Sequence, residues 1–263
     1  MRKLILAGSL LALFLPAVAV AQSSLDGTWK VDLKTAQFPA KPDVFVLQAG
    51  MYQCKTCVPP IEVKADGEDH KVTGHPYFDT VRIKILDDNT IEETDKKGGK
   101  TVTVSKSTVS VDGKTIAFEF TDSSNTNAAP VTGKGTATRV AAGPAGSHAI
   151  SGSWRTSKIE NISENAVKVT FKVEGDSLTM TSPTGQSYTA KLDGTDAPYK
   201  GDPGVTSVSV KRIDANTVEE TDKRDGKPIN VTRMTVSADG RTLTFASHDL
   251  LAETTAKFTA MKQ

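Results

Sequence analysis

"VRIKILDDNTIEETDKKGGK", Val81–Lys100, and "VSVKRIDANTVEETDKRDGK", Val208–Lys227, are one passage written twice, 127 residues apart. In the first copy Val81, Ile83 and Ile85 alternate with Arg82 and Lys84. In the second, Val208 and Val210 alternate with Ser207 and Ser209. A period of two puts alternate side chains on opposite faces, which is the pattern of a half-buried strand. A polar turn follows each run: Asp87-Asp88-Asn89, then Asp214-Ala215-Asn216. Beyond a second run comes another turn, Lys97-Gly98-Gly99 or Arg224-Asp225-Gly226. Residues that accept tight turns, set between short alternating runs, specify antiparallel hairpins.

The repeat extends outward. Lys64–Asp122 aligns with Lys191–Asp249 without gaps, with 27 identities in 59 positions. The starts match as well: "LDGTWKVDL" from Leu25 and "ISGSWRTSK" from Ile150. An internal duplication of this kind makes each copy one structural unit. Further turn signals recur at Asp66-Gly67, Asp112-Gly113, Asp193-Gly194 and Asp239-Gly240, and Ile116, Phe118 and Phe120 alternate with polar neighbours. No long stretch has helical period. The expected fold is all-β: two tandem antiparallel meanders of seven or eight strands, each a small barrel or a flattened sandwich. The expected division is a signal peptide over 1–21, a first domain over 22–140, a linker over 141–149 and a second domain over 150–263. The linker, "AAGPAGSHA", is small and rich in Gly and Pro.

A Gly-x-Trp on the first strand, followed by such a meander, resembles the lipocalin-like (calycin) families. Gly27 and Trp29 carry the likeness in the first unit, Gly152 and Trp154 in the second. The likeness implies that each Trp closes one barrel end, with a basic residue of the last strand packed over it. Arg139 would serve Trp29, and Lys257 or Lys262 would serve Trp154. It also implies non-enzymatic binding of a small, partly apolar molecule in a calyx lined by Val81, Ile83, Phe118 and Phe120. Aromatic residues are only 6% of the chain, so barrels filled by their own side chains are the alternative. The chain is also similar to exported bacterial proteins that open with a Gly-Thr-Trp-Lys strand, a group with no activity to transfer.

The first residues, "MRKLILAGSLLALFLPAVAVAQSS", have a basic start, an apolar run and a small-x-small ending at Ala19-Val20-Ala21. This reads as a secretory signal cleaved after Ala21, and it places the chain in the periplasm or outside the cell with no stable membrane anchor. Lys and Arg total 32 against 31 Asp and Glu, interspersed. That balance gives no footprint for nucleic acid.

"YQCKTCVPPIEVKADGEDHKVTGH", Tyr52–His75, holds Cys54, Cys57, His70 and His75 at the spacing of a Cys2His2 zinc finger. The second unit argues against a metal. There His70 is matched by Ala197 and His75 by Asp202, yet the surrounding Asp, Gly and Pro recur. Gly67 and Gly74 also disfavour the helix a finger needs, by roughly 1 kcal/mol each. A redox dithiol normally opens a helix, whereas Val58-Pro59-Pro60 favours extended chain. The favoured reading is a Cys54–Cys57 disulfide pinning a turn; a metal or redox site from the four residues stays open as an alternative. No cofactor is expected. Tyr52, His70, His75, Tyr77 and Phe78 cluster in the first unit alone and are the candidate surface for a ligand or an envelope protein. The twice-written "EETD", Glu92–Asp95 and Glu219–Asp222, reads as exposed hairpin charge, because Lys-rich turns follow it and Glu92 and Glu93 must face opposite ways.

Overall fold

The structure, a computed structural model, describes residues 24–125 and 128–263. The expected signal peptide lies outside them. The described residues form twenty strands and one short 3-10 turn, arranged in two ten-stranded antiparallel sheets, each curled into a nearly closed barrel. The all-β tandem-barrel expectation therefore holds, with ten strands per sheet rather than seven or eight.

The first strand, β1, is Gly27–Gln37. Then come β2 (Asp43–Gln48), β3 (Met51–Cys54), β4 (Ile61–Lys64), β5 (His70–Lys71), β6 (Thr80–Asp87), β7 (Thr90–Lys97), β8 (Lys100–Val109), β9 (Thr115–Asp122) and β10 (Val131–Ala142). The second repeat gives β11 (Gly152–Ile162), β12 (Lys168–Glu174), β13 (Ser177–Thr181), β14 (Ser187–Lys191), β15 (Asp193–Pro198), β16 (Ser207–Arg212), β17 (Thr217–Arg224), β18 (Lys227–Val236), β19 (Thr242–Asp249) and β20 (Thr254–Lys262).

The barrels do not follow the two repeats. β11 opens the second repeat, yet it lies between β2 and β10 and completes barrel one. β1 opens the first repeat, yet it lies between β12 and β20 and completes barrel two. The exchange is symmetric down to register: Gly152 stands opposite Phe45, and Gly27 stands opposite Phe171, its counterpart in the other copy. The segments expected at 22–140 and 150–263 thus each lend their first strand to the other's barrel. The edges of barrel two meet where Ser187 and Lys200 exchange backbone hydrogen bonds of 3.0 and 2.9 Å.

The exchanged strands bring the largest core side chains with them. Trp154 is 1% exposed and packs with Leu47, Val81, Ile83 and Ile116 of barrel one; Trp29 is fully buried among Phe171, Leu178, Val208 and Leu243 of barrel two. Each indole N–H donates to a carbonyl four residues back, Trp29 to Leu25 O at 2.9 Å and Trp154 to Ile150 O at 2.8 Å. The basic caps cross over too. The Arg139 guanidinium lies 3.9 Å from the Trp154 ring centroid, and Lys262 Nζ lies 5.3 Å from that of Trp29. This corrects the expected pairing of Arg139 with Trp29 and of Lys257 or Lys262 with Trp154. The physical reason is that the Trp strand has changed barrels while the capping strand has not.

The glycine of each Gly-x-Trp has a local cause. Gly152 has φ +143°, and a Cβ there would sit 2.5 Å from Ala141 O and 2.6 Å from Arg139 Nη1. Gly27 has φ +127°, with Lys262 Cε only 2.8 Å from where its Cβ would be. A positive φ and the close approach of the capping cation both call for glycine.

Candidate functional site

In β7 the alternation puts Ile91, Glu93 and Asp95 on the face that looks inward, opposite Ile85, Ile83 and Val81 of β6. Glu92 faces outward, between the register partners Lys84 and Lys106. β17 repeats this with Glu220 and Asp222 inside, opposite Val210 and Val208. The EETD motif is therefore exposed charge only in part: its first Glu is outside, while its second Glu and its Asp are inside. Lys-rich turns follow the motif, as read, but the strand's own period carries two carboxyls into each barrel.

Each inner Glu borders a cavity. In barrel one the cavity is about 260 Å³, and Glu93 shares its wall with Phe45, Tyr52, Phe118, Phe120 and Trp154. In barrel two it is about 340 Å³, with Glu220 beside Phe171, Met180, Tyr199, Phe245 and Phe258. Phe245 and Phe258 stack there at 4.8 Å. Of the residues expected to line a calyx, Phe118 and Phe120 do so, whereas Val81 and Ile83 are fully buried in the packed core below it.

A phenol addresses each inner Glu. Tyr52 donates to Glu93 Oε2 at 3.4 Å, and Tyr188 donates to Glu220 Oε2. These tyrosines are not equivalents of one another. Tyr52 stands on β3 opposite Val63, whereas Tyr188 stands on β14 opposite Met180. The two repeats supply the same group to the same carboxyl from different strands. Both rings are 3% exposed. Tyr52 is thus no surface residue, correcting that part of the expected cluster; it belongs to the cavity wall. Alternation of Tyr52 and Cys54 with Met51 and Gln53 carried the signal for this.

Burial sets the electrostatics. Desolvation lifts Glu93 to about 7 against the lowering effect of the Tyr52 hydroxyl. Desolvation, then the charges of Glu93 and Asp122, lift Asp95 to about 8. Glu220 is lifted to about 8 by desolvation and the neighbouring Asp222, which is itself raised by desolvation while Asn230 Nδ2 donates to its Oδ2 at 3.1 Å. Among the described residues, no hydrogen-bond partner reaches the buried Asp95 Oδ1 or Asp222 Oδ1. The charged form of a carboxyl is the one that burial penalises, so these groups hold protons to unusually high pH. No family model, curated protein or solved structure matches this chain.

The remaining candidates fall in other places. Cys54 and Cys57 form the expected disulfide, with an S–S distance of 2.09 Å. His70 pairs with Asp66 Oδ1 at 2.7 Å. His75 stacks on Phe78 with ring centroids 4.6 Å apart, and its pKa is lowered by partial burial. Among the described residues, no group of three or more His, Cys, Asp or Glu is arranged to hold a metal ion. Tyr77 reaches across to barrel two, donating to Asp202 Oδ1 at 2.9 Å and lying over Gly204, where a Cβ would meet its hydroxyl at 2.3 Å. The Tyr77-Phe78 turn is a joint between the barrels: Tyr77 contacts barrel two, while Phe78 packs against the core of barrel one.

Proposed function

We propose that the chain is a non-enzymatic binding protein whose barrels each hold a small, partly apolar molecule, working in the periplasm or outside the cell. The observation that carries this reading is the carboxyl retained, in both repeats, on the inner face of a barrel cavity whose wall is mostly aromatic and aliphatic. Burying an ionisable group costs stability, and a well-packed apolar residue usually serves a core as well or better. Both repeats nonetheless keep it, and both give it a phenol from strands that are not equivalent. Mostly apolar walls in which a carboxyl and a phenol converge suit a ligand with an apolar body and one hydrogen-bonding end. The cavities sit near the lower limit of the roughly 300–1,000 Å³ usual for ligand sites, which favours a ligand of about one ring. The likeness to lipocalins points the same way. The compartment rests on the signal-like segment Met1–Ala21.

The test is titration with a neutral fluorophore that brightens in apolar surroundings, N-phenyl-1-naphthylamine. Two saturable sites are expected. Ser107→Phe, which places a ring in the barrel-one cavity from β8, should leave one. Absence of saturable binding, or two sites unaffected by the filled cavity, would refute the reading.

A further inference from the structure

Among the described residues, the wall of the barrel-one cavity contains carboxyls and aromatic rings but no lysine or arginine. Arg139, the nearest basic group to its Trp, is engaged elsewhere. Its Nη1 donates to Ser151 O and its Nη2 to Ala149 O, both at 2.7 Å, and its Nε donates to Gly113 O. It covers Trp154 as part of the barrel end, not of the cavity wall. The charged group on the same inner face as Glu93 is acidic, Asp95 on its own strand, and Asp43 borders the cavity from β2. Glu119 of β9 also touches the rim but is exposed on the outer face, in register with Lys106 and Lys134. Tyr52 adds a hydroxyl from β3, while β6 and β8 turn Lys84 and Lys106 outward. An anion entering here would meet repulsion with no compensating donor cation. A cation would meet a carboxylate at close range and the faces of Phe45, Phe118 and Phe120, to which quaternary ammonium groups are attracted.

Resting on the binding function proposed above, we infer that the barrel-one cavity takes a small organic ammonium ion with an apolar body, and that Glu93 is its counter-ion. The wall of the barrel-two cavity includes Lys168, so the inference concerns barrel one. An ammonium ligand favours the ionised Glu93. Below the pKa of that group binding must release a proton, so affinity rises with pH by up to about tenfold per unit and levels off above the pKa.

The experiment compares benzyltrimethylammonium, a fixed cation, with neopentylbenzene, its neutral carbon isostere. Binding is read on the side-chain methyl resonances of Ile91, Ile116 and Ile150, which line this cavity. The cation should bind at least about tenfold more tightly than the isostere at pH 8. That preference should shrink as pH falls through about 7, and Glu93→Gln should abolish it while neopentylbenzene affinity stays within about twofold. The isostere comparison and the pH series use the unaltered chain, so they stand even if the variant folds poorly. Equal affinity for both probes, independent of pH, would overturn the ammonium assignment and leave the binding function in place. Failure of both probes to bind would overturn both.

Discussion

Arg139 and Trp154 belong to different repeats, yet the guanidinium of one lies 3.9 Å from the ring centroid of the other, inside one barrel. Either capping cation could in principle serve either Trp, because the two Gly-x-Trp strands are alike. The exchange decides the partner. A double-mutant cycle between Arg139→Met and Trp154→Phe should therefore show a coupling of about 1 kcal/mol, whereas the cycle between Arg139→Met and Trp29→Phe should show none beyond error. Urea unfolding of the six proteins supplies the numbers. Coupling to Trp29 instead would mean that each repeat closes its own barrel.

The exchange also relocates the folding units. A fragment spanning 38–163 contains β2 to β11, all ten strands of barrel one. A fragment cut at the sequence boundary, 22–140, lacks β11 and with it Trp154. Only by folding β1 back into the vacant slot could it close. The 38–163 fragment should melt cooperatively and at least about 5 °C above the 22–140 fragment, as read by circular dichroism. The reverse order would argue that β1 fits barrel one better than β11 does.

Stability should fall as pH rises from about 5 to 9. Glu93, Asp95 and Glu220 have folded-state values of about 7, 8 and 8, above the ordinary carboxyl range they regain on unfolding. The folded chain thus binds more protons than the unfolded one between those limits. The stabilisation is full below the unfolded values and is lost as pH climbs through the folded ones. Asp222→Asn and Glu220→Gln should flatten the decline, each raising the melting temperature at pH 9 more than at pH 5. Exposed carboxyls such as Asp66 and Asp69, held low by His70 and Lys96, oppose this only at more acidic pH.

Tyr52→Phe should push Glu93 further upward, because the lost hydroxyl is the group that favours its ionised form. Carboxyl-carbon NMR titration reads this directly. A downward shift, or none, would show that the 3.4 Å contact contributes nothing to the charge balance of the cavity.

Strand period, turn residues and duplication were enough to read the all-β tandem barrels from residues alone. The exchange was not readable, because a strand that matches both slots leaves no pattern by which to choose between them. The interior carboxyls are legible in the strand period. Ile91, Glu93 and Asp95 share a face by simple alternation, and that face is set by its neighbours Val81 and Ile83. The polarity of the motif and the Lys-rich turns after it give the opposite, outward signal. The phenols were harder. Tyr52 and Tyr188 sit at non-equivalent positions, so comparing the repeats could not pair them; only their common approach to the inner Glu does. The Cys54–Cys57 link was legible because the second repeat makes the same turns without the histidines.

The decisive observation would come from crystals soaked in bromobenzene and measured at the bromine edge. Two ordered bromines are expected, one beside Ile91, Ile116 and Ile150 in barrel one and one beside Met180, Phe245 and Phe258 in barrel two. Bromine density confined to the outer surface, with both barrel interiors closed by side chains, would show that these are packed scaffolds and not binding sites.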